Sequence, residues 1–361
     1  METTLDNRSF DFLRSLLDAP GPSGYERAPA RVWRAEAETF ADAVETDLVG
    51  NTYAIVRARE GVENPIRMVI AGHIDEIGFV ITHIDDNGYL WFENLGGWDD
   101  QVVVGQRIRV LGIGGDVPGV IGKKAAHLLE ASDREKPTKL RDLWIDIGAA
   151  SREDALRRVE PGCAAVIDAG FISLTDDLCV SRSMDNRVGA FVALEAARLV
   201  AANRVGIEVV AVATVQEEIA FTGAYTAAVR MAPTIGIAVD VTHSTDYPGA
   251  DKRRDGDVKV GGGPVISRGG TLNPVVYEGL RAASRSLGLD CPLQATGNSS
   301  GTDADAMVKA GAGCATGLVS IPNRYMHSPN EVVSRSDLTN AARLIAEFAR
   351  AITPGQDFRP L

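Results

Sequence analysis

The period of the apolar positions changes three times along this chain. Phe10, Leu13, Leu16 and Leu17 recur at helical spacing and predict an amphipathic helix over METTLDNRSFDFLRSLL. The next segment, DAPGPSGYE at 18 to 26, holds two prolines and two glycines and reads as a turn-rich loop. A second helix is predicted from about Arg27 to Phe40, followed by an alternating strand from Asn51 to Arg57. IRMVIAGH, at 66 to 73, is a near-continuous apolar run, as expected of a strand covered on both faces. From about Ile77 to Ile172 the runs shorten to FVITHI, YLWFENL, QRIRVLGI, GVIG, LWIDIG and AAVID, broken by Gly, Asp and Asn. That texture predicts a small all-β domain, with ASDREKPTKLRD at 131 to 142 as an exposed loop. Beyond Leu178 the helical and strand periods alternate again. Helices are predicted over 187–203, 221–231, 273–288 and 334–352, and strands over 207–215, 234–241 and 314–321. Ser334 or Ser336 would cap the last helix, with Asp337 in its first turn.

Alternating strands and helices predict an α/β fold, a mainly parallel central sheet flanked by helices. The α/β texture lies in two parts, 1–76 and 173–361, which would form one domain, with the small β-rich domain at 77–172 inserted between them. No internal repeat or low-complexity tract interrupts this order. The chain has 361 residues, 45% of them apolar, enough for a substantial core. A formal net charge of −12 argues against nucleic acid and anionic membrane as partners. No apolar run reaches the ~18 residues of a membrane span, and no secretory signal is read at the N-terminus. Cys163, Cys179, Cys291 and Cys314 form no CxxC pair, so the expectation is reduced, buried thiols in a cytoplasmic protein.

Five potential metal-binding side chains lie just beyond apolar runs or in tight acidic motifs. They are His73 in AGHID, Asp185 in SMDNR, Glu218 in VQEE, Asp240 in AVDVT and His327 in RYMHSP. Open α/β sheets build their sites beyond the carboxyl ends of the strands, and four of the five fall there. Asp185 precedes a predicted helix, whose positive end would sit near its carboxylate. Each residue also has an ordinary reading: His73 as a hydrogen-bonded histidine, the EE pair as solvated charges, Asp185 as an N-cap. Those readings require five separate coincidences at one sheet edge. Two His and three carboxylates suit a pair of divalent ions, and Glu217, beside Glu218, is left over as a candidate base. His83, His127 and His243 are expected to be structural or surface residues.

The order of motifs resembles the dinuclear-metal aminopeptidases of the tetrahedral-particle type. Members of that family carry the names glutamyl aminopeptidase, deblocking aminopeptidase or endoglucanase. PGPSGYE at 20 to 26, AGHIDEIGF at 71 to 79, MDNRVGA at 184 to 190 and VQEEIAFTGA at 215 to 224 carry the resemblance. DVT at 240 to 242, GTDA at 301 to 304 and IPNRYMHSPNEVV at 321 to 333 continue it, so it spans nearly the whole chain. It implies a zinc-exopeptidase-like fold in which His73 and Asp240 hold one metal, Glu218 and His327 the other, and Asp185 bridges them. Asp75 would orient the His73 imidazole or the neighbouring base, and Glu217 would be the general base and acid. The inserted β domain would mediate dimer contacts, and dimers would build a hollow homo-dodecamer. Where the family commonly has Gly and Arg after EE, this chain has Ala220 and Thr222. That departure bears on the pocket and leaves the ligands untouched.

This reading implies metal-dependent removal of N-terminal residues from short peptides with a free N-terminus. Mixed His and carboxylate donors suit two Zn²⁺ ions, and also Co²⁺ or Mn²⁺. A metal-dependent deacylase or carboxypeptidase shares the same logic. A glycan hydrolase would use two free carboxylates ~5–9.5 Å apart and generally no metal. A non-catalytic shell protein would have lost the base or a ligand, and here all are present.

Overall fold

The computed structural model describes residues 7–130 and 136–361. Its centre is an eight-stranded mixed sheet. The strand order is Ala43–Thr46, Thr52–Val56, Glu208–Thr214, Arg67–His73, Ile235–His243, Ala315–Asn323, Val265–Gly269 and Leu293–Thr296. The four middle strands, from Glu208–Thr214 to Ala315–Asn323, run parallel to one another. Thr52–Val56 and Val265–Gly269 flank them antiparallel. The middle strands are buried on both faces, from Met68 to His73 and from Val209 to Thr214. Hence their sequences read as continuous apolar runs without alternation.

The helix Met184–Ala202 lies across three of these strands, and the closing helix Arg335–Ala351 packs over it. Sandwiched in this way, it is buried on nearly every side from Met184 to Ala197, so its sequence is apolar all round. Trp33, fully buried on the helix Arg27–Ala37, donates its indole N–H to Ala190 O at 2.9 Å. The closing helix starts as predicted, with Ser334 as N-cap accepting from Asp337 N. The predicted N-terminal helix is present as Asn7–Asp18, and residues 1 to 6 of that prediction lie outside the described residues.

Close approach of strand to helix depends on two glycines. A Cβ on Gly72 would overlap the backbone of Gly189 and Ala190, and one on Gly189 would overlap Val239 O and the Asn186 side chain. Both obstacles are backbone or buried groups that cannot give way. Gly72→Ala is therefore expected to cost about 3 kcal/mol of stability, read as a lower denaturation midpoint. An unchanged midpoint would show that strand and helix can separate freely.

Six strands between residues 78 and 167 form a closed barrel, in the order Gly78–Ile84, Leu90–Leu95, Trp144–Asp146, Gly115–Gly122, Arg107–Gly112 and Ala164–Ile167. Its core includes Phe79, Ile81, Phe92, Ile108, Val110 and Ile145, separate from the core under the large sheet. The region is not purely β, because it also carries the short helices Asp100–Val103 and Arg152–Leu156. Of the predicted loop 131–142, residues 131 to 135 lie outside the described residues, and Leu140–Asp142 forms a single 3-10 turn.

Sequence periodicity does not reveal three further features. Val265–Gly269 and Leu293–Thr296 extend the sheet, Asp303–Met307 is a short helix, and Ile172–Ser173, Leu178–Ser181 and Glu331–Ser334 form a small third sheet. All are five residues or fewer, too short for either period to emerge from the flanking turns.

Candidate active site

All seven residues singled out in the sequence converge at the carboxyl ends of the parallel strands. His73 ends one strand, Asp240 lies in the carboxyl-terminal half of its neighbour, and Glu217 and Glu218 follow a third. These two glutamates open a short helix of their own, Glu217–Ala220. Asp185 lies inside the first turn of the long helix, yet it and Asn186 have non-helical dihedrals. The backbone there is held by other groups: Asp185 N donates to Glu331 Oε2 at 3.0 Å, and Asn186 Nδ2 donates to Val239 O at 2.7 Å. His327 follows the strand Ala315–Asn323 with φ of 60°, and its N–H donates to Glu331 Oε1 at 2.9 Å. One buried glutamate, Glu331, thus fixes the backbone of two candidate ligands through its two oxygens.

The Asp185 carboxylate lies between the histidines. Its Oδ1 is 3.2 Å from His73 Nε2 and its Oδ2 is 3.3 Å from His327 Nε2. His73 Nε2 is also 3.6 Å from Glu217 Oε2 and 3.9 Å from Asp240 Oδ1, while His327 Nε2 is 3.5 Å from Glu218 Oε2. Two overlapping donor sets emerge, His73 with Glu217 and Asp240, and His73 with Asp185 and Glu218, each with donor atoms within 4.8 Å of one another. His327 falls outside both sets and reaches the cluster through Asp185 and Glu218.

Asp75 does more than face the histidine. Its Oδ1 is 3.3 Å from His73 Nδ1 and accepts from Glu217 N at 3.1 Å, and its Oδ2 accepts from Glu218 N at 3.2 Å and from the Ser23 hydroxyl. Glu26 accepts from the preceding amide, Gln216 N, at 3.1 Å. Two buried carboxylates therefore grip three successive amides of the turn that presents both glutamates. Asn51 adds a third hold, accepting from Val215 N at 3.1 Å.

A second buried network sits just behind. Glu76 Oε1 accepts from Arg187 Nη2 at 2.8 Å and from Gly21 N at 3.0 Å, and its Oε2 accepts from Arg182. Arg187, fully buried, also donates to Ile74 O at 3.1 Å, Leu16 O at 2.8 Å and Ala19 O. These bonds attach the end of the helix Asn7–Asp18 and the loop after it to the strand carrying His73 and to the helix carrying Asp185. Sequence reading placed Glu76, Arg187, Ser23 and Glu26 inside matching motifs but gave them no role. It likewise gave none to Asp303, which is buried and accepts from Thr214 Oγ1 at 2.5 Å. Their only signal in the sequence is a polar or charged residue inside a Gly-rich or apolar motif.

The electrostatics call for cations. Burial pushes Glu217 up to about 11, helped by Asp240, Asp303 and Glu218, and burial likewise raises Glu218 and Asp240. Burial would raise Asp185 too, but hydrogen bonds with His327 and His73 hold it below the usual carboxylate range. Too many buried carboxylates share two imidazoles, and Glu218 Oε1 is buried with no hydrogen-bond partner. Mixed nitrogen and oxygen donors, excess negative charge and an orphaned oxygen together fit divalent metal ions.

The cluster opens into a cavity of about 420 Å³, lined beyond the carboxylates by Ile219, Phe221, Val241, Thr302 and Met326 among others. Residues 50–344 match the M42 glutamyl aminopeptidase family. The lysyl aminopeptidase of Pyrococcus furiosus is 30% identical over 97% of this chain and 99% of its own. A TET aminopeptidase from the marine sediment archaeon Thaumarchaeota archaeon SCGC AB-539-E09 superposes with a TM-score of 0.90, at 31% identity over 96% of this chain and 97% of its own. The TET1 peptidase of Pyrococcus horikoshii, which can assemble into a tetrahedron or a large octahedral shell, gives a TM-score of 0.84 at 30% identity, covering 95% and 100%.

Proposed function

Because the chain belongs to the M42 glutamyl aminopeptidase family and is an aminopeptidase, we propose that the buried His and carboxylate cluster is the centre at which it removes N-terminal residues from peptides. The observation that carries this reading is Asp185, with one oxygen toward each histidine. His73 and Asp240 would hold one divalent ion and Glu218 and His327 the other, with Asp185 shared by both. Zinc suits this set, and cobalt or manganese would also fit. When bound, two such ions lower the pKa of water and polarise the scissile carbonyl.

The remaining work belongs to the protein. Glu217 Oε2 takes a proton from the attacking water and delivers it to the leaving amine nitrogen. A glutamate bound as a ligand could not also do this, which accounts for two adjacent acids. Asp75 supports both partners, facing the Nδ1 edge of His73 and holding the amide of Glu217. A free peptide N-terminus supplies an amine donor that an acylated one lacks, which favours exopeptidase action on short peptides.

The same reading assigns residues 77–172 to an inserted domain that mediates dimer contacts. Exposed apolar residues on the barrel, including Tyr89, Trp91, Ile113, Val120 and Leu128, support an interface there. Together with the likeness to the TET1 peptidase, this favours a homo-oligomer, a tetrahedral dodecamer. Among the described residues no helix is long and apolar enough to cross a membrane.

The test is a digest of a mixed peptide pool, read by mass spectrometry, with added Zn²⁺ or Co²⁺ and with a chelator. Stepwise loss of N-terminal residues only with metal is expected. Trimming from the carboxyl end, loss of acyl groups alone, or trimming undiminished by the chelator would overturn the assignment of this centre.

A further inference from the structure

The family name and a relative's name point to different residues at the peptide N-terminus, glutamyl and lysyl, so kinship leaves this chain's own preference open. The cavity wall decides it. Four carboxylates line the cavity, those of Asp185, Glu217, Glu218 and Asp240. Two divalent ions would carry the same charge with opposite sign, leaving the loaded cluster close to neutral. The rest of the wall is then what a substrate's first side chain meets. It combines the apolar Ile219, Phe221, Val241 and Met326 with the neutral polar Thr242 and Ser300. Thr302 adds a neutral hydroxyl. Among the described lining residues there is no Lys or Arg, and no acid outside the cluster and its immediate backing. His243 is exposed at the edge, where water screens any charge it carries.

We infer that the cavity beside the catalytic cluster selects peptides whose first residue is large and neutral, such as Leu or Met, and discriminates against Glu and Lys. The physical reason is asymmetric. An apolar side chain exchanges water for the Ile219, Phe221 and Met326 surfaces, which is favourable in proportion to the area covered. A charged side chain in the same place loses hydration and gains no partner. The inference rests on the catalytic centre proposed above.

The experiment compares zinc-loaded and cobalt-loaded protein on p-nitroanilides of Leu, Met, Lys and Glu. The expected kcat/KM for Leu and Met exceeds that for Lys and Glu by tenfold or more. Ile219 lines the cavity, is half exposed and carries no metal-binding group, so it is the position to alter. Ile219→Arg should raise the Glu-to-Leu ratio at least tenfold, and Ile219→Asp the Lys-to-Leu ratio, with metal content unchanged in both. Binding is read separately by calorimetry on the Glu217→Gln protein, where Leu-Gly-Gly should bind more tightly than Glu-Gly-Gly or Lys-Gly-Gly. A wild-type preference for Lys or Glu, or ratios that ignore the charge at position 219, would overturn the inference and leave the catalytic centre standing. No hydrolysis of any anilide with either metal would overturn the centre and the inference with it.

Discussion

Glu217→Gln is expected to lower kcat by ~10²–10⁴-fold, the usual contribution of a positioned proton-transfer group, with bound metal unchanged. The amide is isosteric, and the backbone position survives because Asp75 holds the Glu217 amide and Glu26 that of Gln216. What is lost is a basic oxygen beside the cluster, 3.6 Å from His73 Nε2. The measurements are kcat on a leucine anilide and metal content by mass spectrometry. A kcat within threefold of wild type would remove Glu217 from proton transfer. Loss of one metal equivalent would make it a ligand, a role its place beside His73 and Asp240 would also allow.

The second large effect concerns Asp185. Asp185→Asn should reduce binding at both metal positions, because one oxygen faces each histidine. Stoichiometry is expected to fall from about two ions to below one per subunit, with kcat/KM down by roughly 10³-fold or more, since both water activation and carbonyl polarisation depend on the ions. His327→Ala is the control. Its imidazole faces the carboxylates of Asp185 and Glu218, so this variant should keep about one ion held by the remaining donors. Two ions in Asp185→Asn, or none in His327→Ala, would contradict the division of ligands between the two positions.

The sequence already showed much of this arrangement, and for identifiable reasons. The central strands were legible because burial on both faces removes polar residues, and the barrel because its strands are short and punctuated by turns. The site residues were legible because an acid or histidine directly after an apolar run must find a partner. What stayed hidden is the set of contacts made across the chain. Nothing in the spacing tells that Asp75 holds the turn carrying Glu217 and Glu218, or that Glu331 fixes the backbone of both Asp185 and His327. Glu76 and Arg187 are 111 residues apart in sequence and yet form a buried pair. Such contacts depend on folded geometry, and local periodicity carries no record of them.

The donors are distributed from His73 to His327, with the barrel strands lying between the first donor and the rest. Glu331, which holds two of them in place, lies further on, in a strand paired with Leu178–Ser181. During synthesis, therefore, no early portion of the chain can assemble the cluster. The contacts are long-range ones, which form late because loop closure precedes their reward. A growing chain thus lacks the assembled cluster until the segment that holds His327 and Glu331 has been made and folded back onto Asp185.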